Sequence, residues 1–546
     1  MSRKLGVLED TPNIRRPHQI RKMSTQPATT TIELTRKEAQ LKDLLLDTAK
    51  YVNNSQPSAQ PVILRWAGGW VRDKLLGIES HDIDTAVNTM TGEAFALKIC
   101  ELCEQPEVAE KHRITGADIG SLYKIAKNPD KSKHLETTTI KLFGFDVDFV
   151  NLRKETYSED SRNPQMEFGT AEEDALRRDA TVNALFYNLN TSRVEDFTSG
   201  LKDMGAKLIR TPLEPFQTFM DDPLRVLRLV RFASRLGFRI DHAAEECMAD
   251  VKVLDVLKLK ISRERVGVEL EKMLKGKDPR RSLQYINDLG LYHTVFTDPT
   301  KPSMPLPDLS RWHNVYECLS YLFSSQTHGS ISRVLVPTKE VSYYAWTLSA
   351  LAPWELADEP EHKGKGKPPP PLITLAAREG IKAPNKLCDV VTAAHRNKAD
   401  IFALKTAVVQ KESYINERDR FGMAIRHWDA RGSHWQLQVL FSLLVEAMQR
   451  WEVTSTSSKN NDDFLSEWQS FIDHLRELDV MDAPSMKKLI DGTQLAKALG
   501  IKPGKWMTGA LEVCVAWQLR HPKATDPSGA VEEVNKRRKE LDIPPS

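Results

Sequence analysis

The chain has 546 residues, of which 40% are hydrophobic and 28% charged, with 77 Lys and Arg against 75 Asp and Glu. This length exceeds what one hydrophobic core supports, so we expect a soluble protein of two to four domains, and the nearly balanced charge restricts any nucleic-acid surface to a local patch. Six scattered cysteines exclude a disulfide framework and indicate a reducing compartment, and the lack of a run of roughly 18 apolar residues excludes a membrane span.

The leader, residues 1–32, is predicted to be disordered. Its first 22 residues carry six Lys or Arg, two acids and no apolar segment, which excludes a secretory signal and is compatible with a mitochondrial presequence. Because Met23 offers a second start, we predict a mitochondrial long form and a cytosolic or nuclear short form. A leader without any targeting role is the alternative, since Glu9 and Asp10 weaken the presequence pattern.

Residues 33–200 alternate between helical and strand patterns. "ELTRKEAQLKDLLLDTAKYV" has helical spacing, "PVILRWAGG" predicts a strand, "WVRDKLLG" a helix closed by Gly77, and "HDIDTAV" a second strand. "TTTIKLFGFDVDFVNLR" predicts two strands joined at Gly144. The helical spacing of "AFALKICELCE" favours a packing role for Cys100 and Cys103 over zinc binding.

Asp82 and Asp84 are separated by one residue of a predicted strand, so both should project to one side while Ile83 faces the core. Two such carboxylates suit Mg²⁺ that also takes oxygens from a nucleoside triphosphate, although an isolated Asp-x-Asp is more often only an acidic turn. We predict Asp82 and Asp84 as metal ligands and catalytic residues of a two-metal mechanism. Asp148, whose strand face Asp146 shares, is the predicted third catalytic carboxylate.

The residues around these carboxylates predict phosphate binding. Gly68 and Gly69 lack side chains, which allows backbone N–H groups to approach a phosphate. Arg72, next to Asp73, lies one turn into the following helix, where a guanidinium can bind phosphate oxygens in a bidentate manner. Arg153 ends the segment that carries Asp148. We assign Gly68, Gly69, Arg72, Asp73 and Arg153 to nucleotide binding.

Beyond residue 200 the pattern is helical, in "DDPLRVLRLVRFASRLGF", "SRERVGVELEKMLKG" and "PRRSLQYINDLGLYHTVF". The first segment places Arg225, Arg228, Arg231 and Arg235 on one helical stripe. Only one acid, Asp221, lies four residues before an arginine, so we expect these charges to be largely uncompensated and available to phosphate. A solvated amphipathic face is the alternative.

Asp222 and Arg225 are spaced to read the Watson–Crick edge of a base. Cytosine and adenine both present an amine beside an acceptor nitrogen, which match a carboxylate and a guanidinium. Uracil and guanine would leave like groups facing each other and buried polar atoms unpaired. The pair therefore predicts selection of CTP and ATP without a nucleic-acid template.

Two low-complexity segments, residues 359–371 and 454–463, are predicted to be exposed linkers. The tryptophan-rich segment 420–451 is predicted to be helical core rather than a platform for RNA stacking.

These motifs resemble, in order, those of the class II tRNA nucleotidyltransferases, the CCA-adding enzymes of the DNA-polymerase-beta-like superfamily. Residues 62–275 carry the resemblance, which extends more weakly to the tail segment "KPGKWMTGALEVCVAWQLRHP". The motifs are "LRWAGGWVRDKLLGIESHDIDTAV", "EDALRRDATVNALFYN", "DFTSGLKDMGAKLIRTP", "DDPLRVLRLVRFASRLGF" and "ISRERVGVELEKML". Asp221 departs from the family's glutamate, but the base-reading acid is the next residue.

The resemblance implies an α+β fold, with a mixed-sheet nucleotidyltransferase head at 33–205 and an all-helical neck, body and tail at 206–280, 281–400 and 401–546. It also implies that Arg178, Asp179 and Asn183 contact the ribose and phosphates of the incoming nucleotide. Arg228 and Arg231 are assigned to nucleotide binding as well. The implied RNA contacts in the tail are Lys502, Lys505 and Trp506.

The implied activity is the addition of C, C and A to the 3′ end of tRNA from CTP and ATP, with Mg²⁺ and release of pyrophosphate, by a monomer. Residues 112–136 match the family's flexible loop, which favours complete CCA addition over a CC-only enzyme. Enzymes that add only C or only A, and a poly(A) polymerase, remain alternatives. A noncatalytic tRNA-binding protein is disfavoured, because binding alone needs no metal carboxylates.

Overall fold

The structure is a computed structural model that describes residues 31–55, 57, 60–116, 118–125, 137–158, 161–324, 330–360, 369–453 and 458–544. Its strands are β1 Leu64–Ala67, β2 Asp82–Val87, β3 Ile119–Ile125, β4 Thr137–Leu142, β5 Phe145–Asn151, β6 Arg153–Ser158, β7 Ser161–Phe168, β8 Leu185–Asn188, β9 Arg193–Asp196, β10 Leu208–Ile209 and β11 Arg239–Ile240.

The helices of the first half are α1 Arg36–Ser55, α2 Gly69–Leu75, α3 Gly92–Cys103, α4 Pro106–Lys111, α5 Ala171–Leu176, α6 Gly200–Gly205, α7 Pro215–Asp221, α8 Leu224–Leu236, α9 His242–Met248, α10 Val251–Lys260, α11 Arg263–Leu274, α12 Pro279–Asp288 and α13 Tyr292–Phe296. Those of the second half are α14 Trp312–Ser324, α15 Ile331–Leu335, α16 Lys339–Leu351, α17 Leu372–Leu375, α18 Asn385–Gln410, α19 Arg418–Trp428, α20 Trp435–Arg450, α21 Lys459–Glu477, α22 Gly492–Leu499, α23 Met507–Arg520 and α24 Ser528–Lys536. The predicted α+β class, with a mixed sheet followed by a largely helical remainder, is confirmed, but the neck is not all-helical, because β10 and β11 pair within residues 206–280.

The chain divides into two compact units. The first comprises Met1–Leu152, Phe168–Thr170 and Leu185–Thr198, and the second comprises Arg153–Glu167, Ala171–Ala184 and Ser199–Ser546. The four domain boundaries expected from the sequence stay predictions.

The first unit is built on a seven-stranded sheet in the order β3-β4-β5-β2-β1-β8-β9. Only β2 and β5 run parallel, and every other neighbouring pair in this sheet is antiparallel. Alternation along β2 and β5 buries Ile83 and Val147 completely, because successive side chains of a strand point to opposite faces. Helix α3 packs on β5 and against α1, which supplies the core residues Leu41, Leu44 and Leu45.

The predicted strand pair around Gly144 is confirmed. Leu142 of β4 lies opposite Phe145 of β5, and the two residues between them, Phe143 and Gly144, both have positive φ, at 52° and 88°. Such backbone values characterise the tight two-residue turn that matches the twist of the flanking strands. The turn sets the register that places Asp148 on β5.

Part of the segment expected to be a flexible loop is strand instead. Within residues 112–136, β3 covers Ile119–Ile125 and pairs with β4, so the loop expectation is wrong there. The physical reason is that the edge of β4 presents backbone N–H and C=O groups, with which an adjacent extended segment can form hydrogen bonds. Residues 126–136 lie outside the described residues.

The helical second unit has a tryptophan-rich core, as predicted. Trp428 and Trp435 are fully buried, and Trp451 nearly so. The indole N–H of Trp428 donates to Asp400 at 2.9 Å, so the one polar atom of this side chain is satisfied without solvent. In the described part of the chain no helix is long and apolar enough to cross a membrane.

Helix α11 contacts the segment after α17 through main-chain atoms. A Cβ on Gly267 would lie 2.1 Å from the carbonyl oxygen of Ile381, so only glycine permits this approach. One turn earlier, the guanidinium of Arg263 is buried and donates to the carbonyls of Gly380 at 2.7 Å, Thr294 at 3.0 Å and Val295. Desolvation lowers the pKa of Arg263 to about 10.

The structure revises one of the two predicted linkers. Residues 361–368 of the first linker and 454–457 of the second lie outside the described residues. In the second linker, however, α21 begins at Lys459, so the linker expectation is wrong from that residue onward. The Asn461 amide explains the order there, since it accepts from the backbone N–H of Glu452 at 2.9 Å and donates to its carbonyl at 2.8 Å.

Candidate functional site

The carboxylates predicted from the sequence lie together on two neighbouring strands of the first unit. Asp82 and Asp84 of β2 are in register with Asp146 and Asp148 of β5, respectively. All four point away from the face on which Ile83 is buried, as the alternation of a strand requires. The structure therefore brings Asp148 next to the Asp82–Asp84 pair, which was expected from the sequence.

The four carboxylates differ in their partners. The hydroxyl of Thr139 on β4 hydrogen-bonds to Asp148, and Lys141 forms a 3.7 Å ion pair with the more exposed Asp146. Partial desolvation raises the pKa of Asp82, and the charges of Asp148 and Asp146 raise it further. Negative charge is thus concentrated at Asp82, which a bound cation would stabilise.

The donor set fits a hard divalent cation. Mg²⁺ prefers carboxylate oxygens, retains several waters and is commonly held by one or two carboxylates together with substrate phosphates. Among the described residues no group of three or more His, Cys, Asp or Glu side chains is placed to hold a metal ion. Asp82 and Asp84 would therefore provide a partial coordination sphere that a triphosphate completes.

Cys100 and Cys103 do not form such a site. Both are free, partly buried thiols on α3. Burial raises the pKa of Cys103 to about 11, which keeps this free thiol protonated near neutral pH. The predicted packing role agrees with this arrangement.

The backbone N–H of Gly68, which was predicted to approach a phosphate, is already bonded to a main-chain oxygen. Gly68 has φ 66° and ψ −121°, a conformation essentially restricted to glycine, and its N–H donates to the carbonyl of Leu185 at 3.0 Å. Gly69 begins α2. Arg72 is only 3% exposed and pairs with the equally buried Asp73 at 2.7 Å, so this guanidinium is already engaged within α2. Binding of phosphate by Arg72 and Asp73 stays a prediction.

A second group of predicted residues lies in the second unit, around a 3-10 turn at Thr181–Asn183. Arg178 donates to the carbonyl of Asn183 at 3.1 Å and forms an ion pair with Asp174 at 2.9 Å. Asp179 accepts from the Asn183 amide at 3.0 Å and from Nε of Arg228 at 2.6 Å. The structure thus brings together Arg178, Asp179 and Asn183.

Asp179 is an ionised carboxylate in a buried position. Burial alone would raise its pKa, but the charge of Arg228, the Asn183 amide and the charge of Arg225 together lower the pKa well below its usual range. Asp179 in turn raises the pKa of Arg228. This pair joins the segment after α5 to helix α8.

Two arginines of the α8 stripe, Arg228 and Arg231, are paired with acids, so the expectation of free positive charge is wrong for these two. Arg231 pairs with Glu269 of α11 at 2.6 Å, and Arg228 lies between Asp179 at 2.6 Å and Glu269 at 3.9 Å. The partners are distant in sequence, so a search for acids four residues away does not find them. Leu224, Leu227 and Val230 on the other side of α8 are buried, and nucleotide binding by Arg228 and Arg231 stays a prediction.

The structure places the two base-reading residues near each other but in different environments. Asp222 ends α7 with extended backbone, is partly exposed and lies 3.7 Å from Arg265 of α11. Arg225 is 8% exposed and donates to the carbonyls of Thr218 at 3.3 Å and Arg177 at 2.7 Å. A base that used Arg225 would therefore meet a guanidinium already oriented by main-chain oxygens.

Arg153 is the first residue of β6, and its N–H donates to Asp174 at 3.3 Å. In the tail, Lys502 and Lys505 are exposed, but Trp506 is only 7% exposed and packs among Leu495, Leu499 and other apolar residues. RNA contact by Trp506 is therefore corrected to a core role, because an apolar cluster formed by α22, α23 and α24 covers the ring. The RNA contacts of the two lysines stay predictions.

Asp174 and Glu269 are two buried acids that the sequence reasoning missed. Each is almost fully buried and each binds two of the arginines discussed above. For Asp174 a signal was available, because Arg177 and Arg178 follow at the i+3 and i+4 spacings of a helical ion pair. For Glu269 the local sequence offered none.

Comparison with known proteins first defines the class. Residues 64–210 match the family described as "Poly A polymerase head domain", and residues 237–302 match "Probable RNA and SrmB- binding site of polymerase A". The solved "structure of CCA-adding enzyme apo form II" has the same fold, with a TM-score of 0.61 at 21% identity over 92% of this chain and 96% of that one. The fold is that of a nucleotidyltransferase with a helical remainder.

Relatives over the whole length then define the family. The chain is 53% identical to "Nucleotidyltransferase lcsQ" of Purpureocillium lilacinum, over 94% of this chain and 93% of that protein. It is 37% identical to "CCA tRNA nucleotidyltransferase, mitochondrial" of Candida glabrata (91% and 94% covered) and 35% identical to the Saccharomyces cerevisiae protein of that name (91% and 92%). The chain belongs to the CCA tRNA nucleotidyltransferase family.

The ion pair of Arg228 predicts that Arg228→Ala loses stability through Asp179. Removing the guanidinium leaves a buried carboxylate without its cation, and we expect a loss of about 1–3 kcal/mol, below the value for a fully buried pair because the Arg228 side chain is 37% exposed. Chemical denaturation of the single and double variants measures this loss.

Asp179→Asn is the matched control for that experiment. In this background the carboxylate charge is absent, so Arg228→Ala should cost little more. Equal losses in the two backgrounds would show that the pair does not stabilise the fold.

Proposed function

We propose that the chain adds C, C and A to the 3′ end of tRNA from CTP and ATP, with release of pyrophosphate. The observation that carries the proposal is the register of Asp82 and Asp84 with Asp148 on two neighbouring parallel strands. The names of the relatives support the reaction, as do solved structures of similar fold titled as complexes with CTP and with tRNA (TM-score 0.57 each).

In this proposal the carboxylates hold the reacting groups in place. Asp82 and Asp84 would hold Mg²⁺, which when bound lowers the pKa of a terminal hydroxyl and neutralises charge on the leaving pyrophosphate. Asp148 lies beside Asp84, where its carboxylate can accept a hydrogen bond from the 3′ hydroxyl of the RNA. The glycine turn at Gly68 and Gly69 would allow the triphosphate to approach the start of α2.

The helical unit would supply the remaining contacts. Arg178, Asp179 and Asn183 orient the ribose and phosphates, and Asp222 and Arg225 read the base. The exposed Lys502 and Lys505 would contact the RNA backbone, which carries the recognition when the added sequence is the same for every substrate. Action as a monomer stays a prediction.

The carboxylate assignment predicts that Asp82→Asn with Asp84→Asn abolishes nucleotide addition. Loss of both charges removes the metal-binding oxygens, so kcat/KM should fall by about 10³-fold or more, comparable to the removal of other preorganised charge-stabilising groups. The assay uses tRNA that ends before CCA, Mg²⁺ and labelled CTP or ATP, singly and together, which also separates complete CCA addition from addition of C or A alone.

Asp146→Asn provides the matched control, because Asp146 shares the face and the register but is exposed and paired with Lys141. We expect a change of less than about threefold, as for an exposed ion pair. Retained addition by the double variant would refute the proposed chemistry.

The base-reading pair predicts that Asp222→Ala with Arg225→Ala relaxes nucleotide choice more than it weakens binding. Without the carboxylate and the guanidinium, UTP and GTP lose the mismatched polar contacts that exclude them. Ratios of kcat/KM for the four triphosphates measure this discrimination. A uniform loss with all four would assign the pair a structural role.

We also propose that the leader directs the long form to mitochondria and that initiation at Met23 produces a cytosolic or nuclear form. The six Lys or Arg of residues 1–22 and the word "mitochondrial" in the names of two relatives support this. Residues 1–30 fused to a fluorescent reporter should reach mitochondria, and a fusion lacking residues 1–22 should not. A cytosolic signal from both fusions would exclude targeting by this segment.

A further inference from the structure

Asp174 on α5 is a buried carboxylate bound by two arginines. Its side chain is almost completely buried, with 1% of the residue exposed. One oxygen accepts from Nε of Arg177 at 2.9 Å, and the other accepts from Nε and Nη2 of Arg178 at 3.1 and 2.9 Å. The N–H of Arg153 donates to the first oxygen at 3.3 Å. A single carboxylate therefore contacts three residues at or beside predicted nucleotide-binding positions.

The Asp174 carboxylate offsets the repulsion between the guanidiniums of Arg177 and Arg178. Two adjacent guanidiniums repel each other, and one carboxylate between them leaves a net charge of about +1, which suits a phosphate group. Burial acts to raise the pKa of Asp174, but the charges of Arg178 and Arg177 outweigh it and lower the pKa. Asp174 is thus ionised in the folded protein.

Arg177 and Arg178 each make a further hydrogen bond to another residue. The guanidinium of Arg178 is held on its other side by the carbonyl of Asn183, at 3.1 Å. The carbonyl of Arg177 accepts from the guanidinium of Arg225 at 2.7 Å. Asp174 therefore orients the side chain of Arg178, whereas Arg225 is held by a main-chain oxygen of Arg177 that the Asp174 carboxylate does not contact.

We propose that Asp174 is a positioning residue for nucleotide binding: it fixes Arg178 in the orientation that a triphosphate requires. The inference rests on the proposed function, because it takes Arg178 as a phosphate ligand. Without the carboxylate, Arg178 would have to be ordered at the moment of binding, and the ordering entropy would weaken the affinity for the triphosphate.

The test compares Asp174→Asn with the wild-type full-length chain. The change keeps the shape and removes the charge. We expect the KM for CTP and for ATP to rise about 10- to 100-fold, the range for a lost hydrogen bond to a charged group. Equilibrium binding of CTP should weaken by a similar factor, whereas binding of cytidine, which has no phosphate, should not change.

Glu355→Gln is the matched control. Glu355 is also a buried carboxylate that binds two basic side chains, His395 at 2.9 Å and Lys398, but it lies outside the nucleotide motifs. This variant should lower the melting temperature and leave both KM values within about twofold of wild type, the scatter expected for changes without direct contact. Asp174→Asn should show the change in KM in addition to any change in melting temperature.

Three outcomes would overturn the inference. These are unchanged KM values in Asp174→Asn, equal weakening of CTP and cytidine binding, and a drop in melting temperature without loss of affinity. If Asp174→Asn does not fold, Asp174→Glu displaces the charge by one methylene and should raise the KM values in the same direction, and unchanged values there would also refute the role. Because CTP binding is measured without RNA, a failure of tRNA addition by the wild-type chain is distinguishable from a failure of this inference.

Discussion

Repulsion among the carboxylates of β2 and β5 is the electrostatic constraint on which the proposed chemistry depends. The two strands run parallel and in register, so Asp82 and Asp84 face Asp146 and Asp148 instead of being spread along the sheet edge. The burial of Ile83 and Val147 on the opposite face stabilises this arrangement, because a shift of one residue would place the carboxylates in the core. Partial desolvation raises the pKa of Asp82, and the charges of Asp148 and Asp146 raise it further. A divalent cation would relieve this repulsion, so the strand register favours the metal binding that we propose.

In the second unit, by contrast, the charged side chains are paired with partners of opposite charge. There four arginines, Arg177, Arg178, Arg228 and Arg231, alternate with three buried acids, Asp174, Asp179 and Glu269. Each acid accepts from at least one guanidinium, so each arginine is oriented before any nucleotide arrives. Positioned charges of this kind contribute more to affinity than mobile surface lysines, because little side-chain entropy remains to be lost on binding. The small excess of positive charge is consistent with an anionic ligand.

Local periodicity explains which features could be predicted from the sequence. The two-residue period places Asp82 and Asp84 on one side of a strand, and the β-branched residues around Gly144 identify the hairpin that carries Asp148. Partners distant in sequence could not be found in this way: Glu269 is 38 residues from Arg231, and Arg228 is 49 residues from Asp179. Trp506 was misassigned for the same reason, since the apolar residues that cover it come from other helices. The strand at Ile119–Ile125 was missed because its pairing depends on the edge of β4.

Helix α11 makes two contacts that lie on different faces of the helix. Gly267 approaches the Ile381 carbonyl, whereas Glu269, two residues and about 200° further around the helix, contacts the arginines of α8. An insertion or deletion of a single residue between them would rotate one contact by about 100° and break it while leaving the other in place. We therefore expect evolution to conserve the number of residues between Gly267 and Glu269 more strongly than the identity of the residue between them.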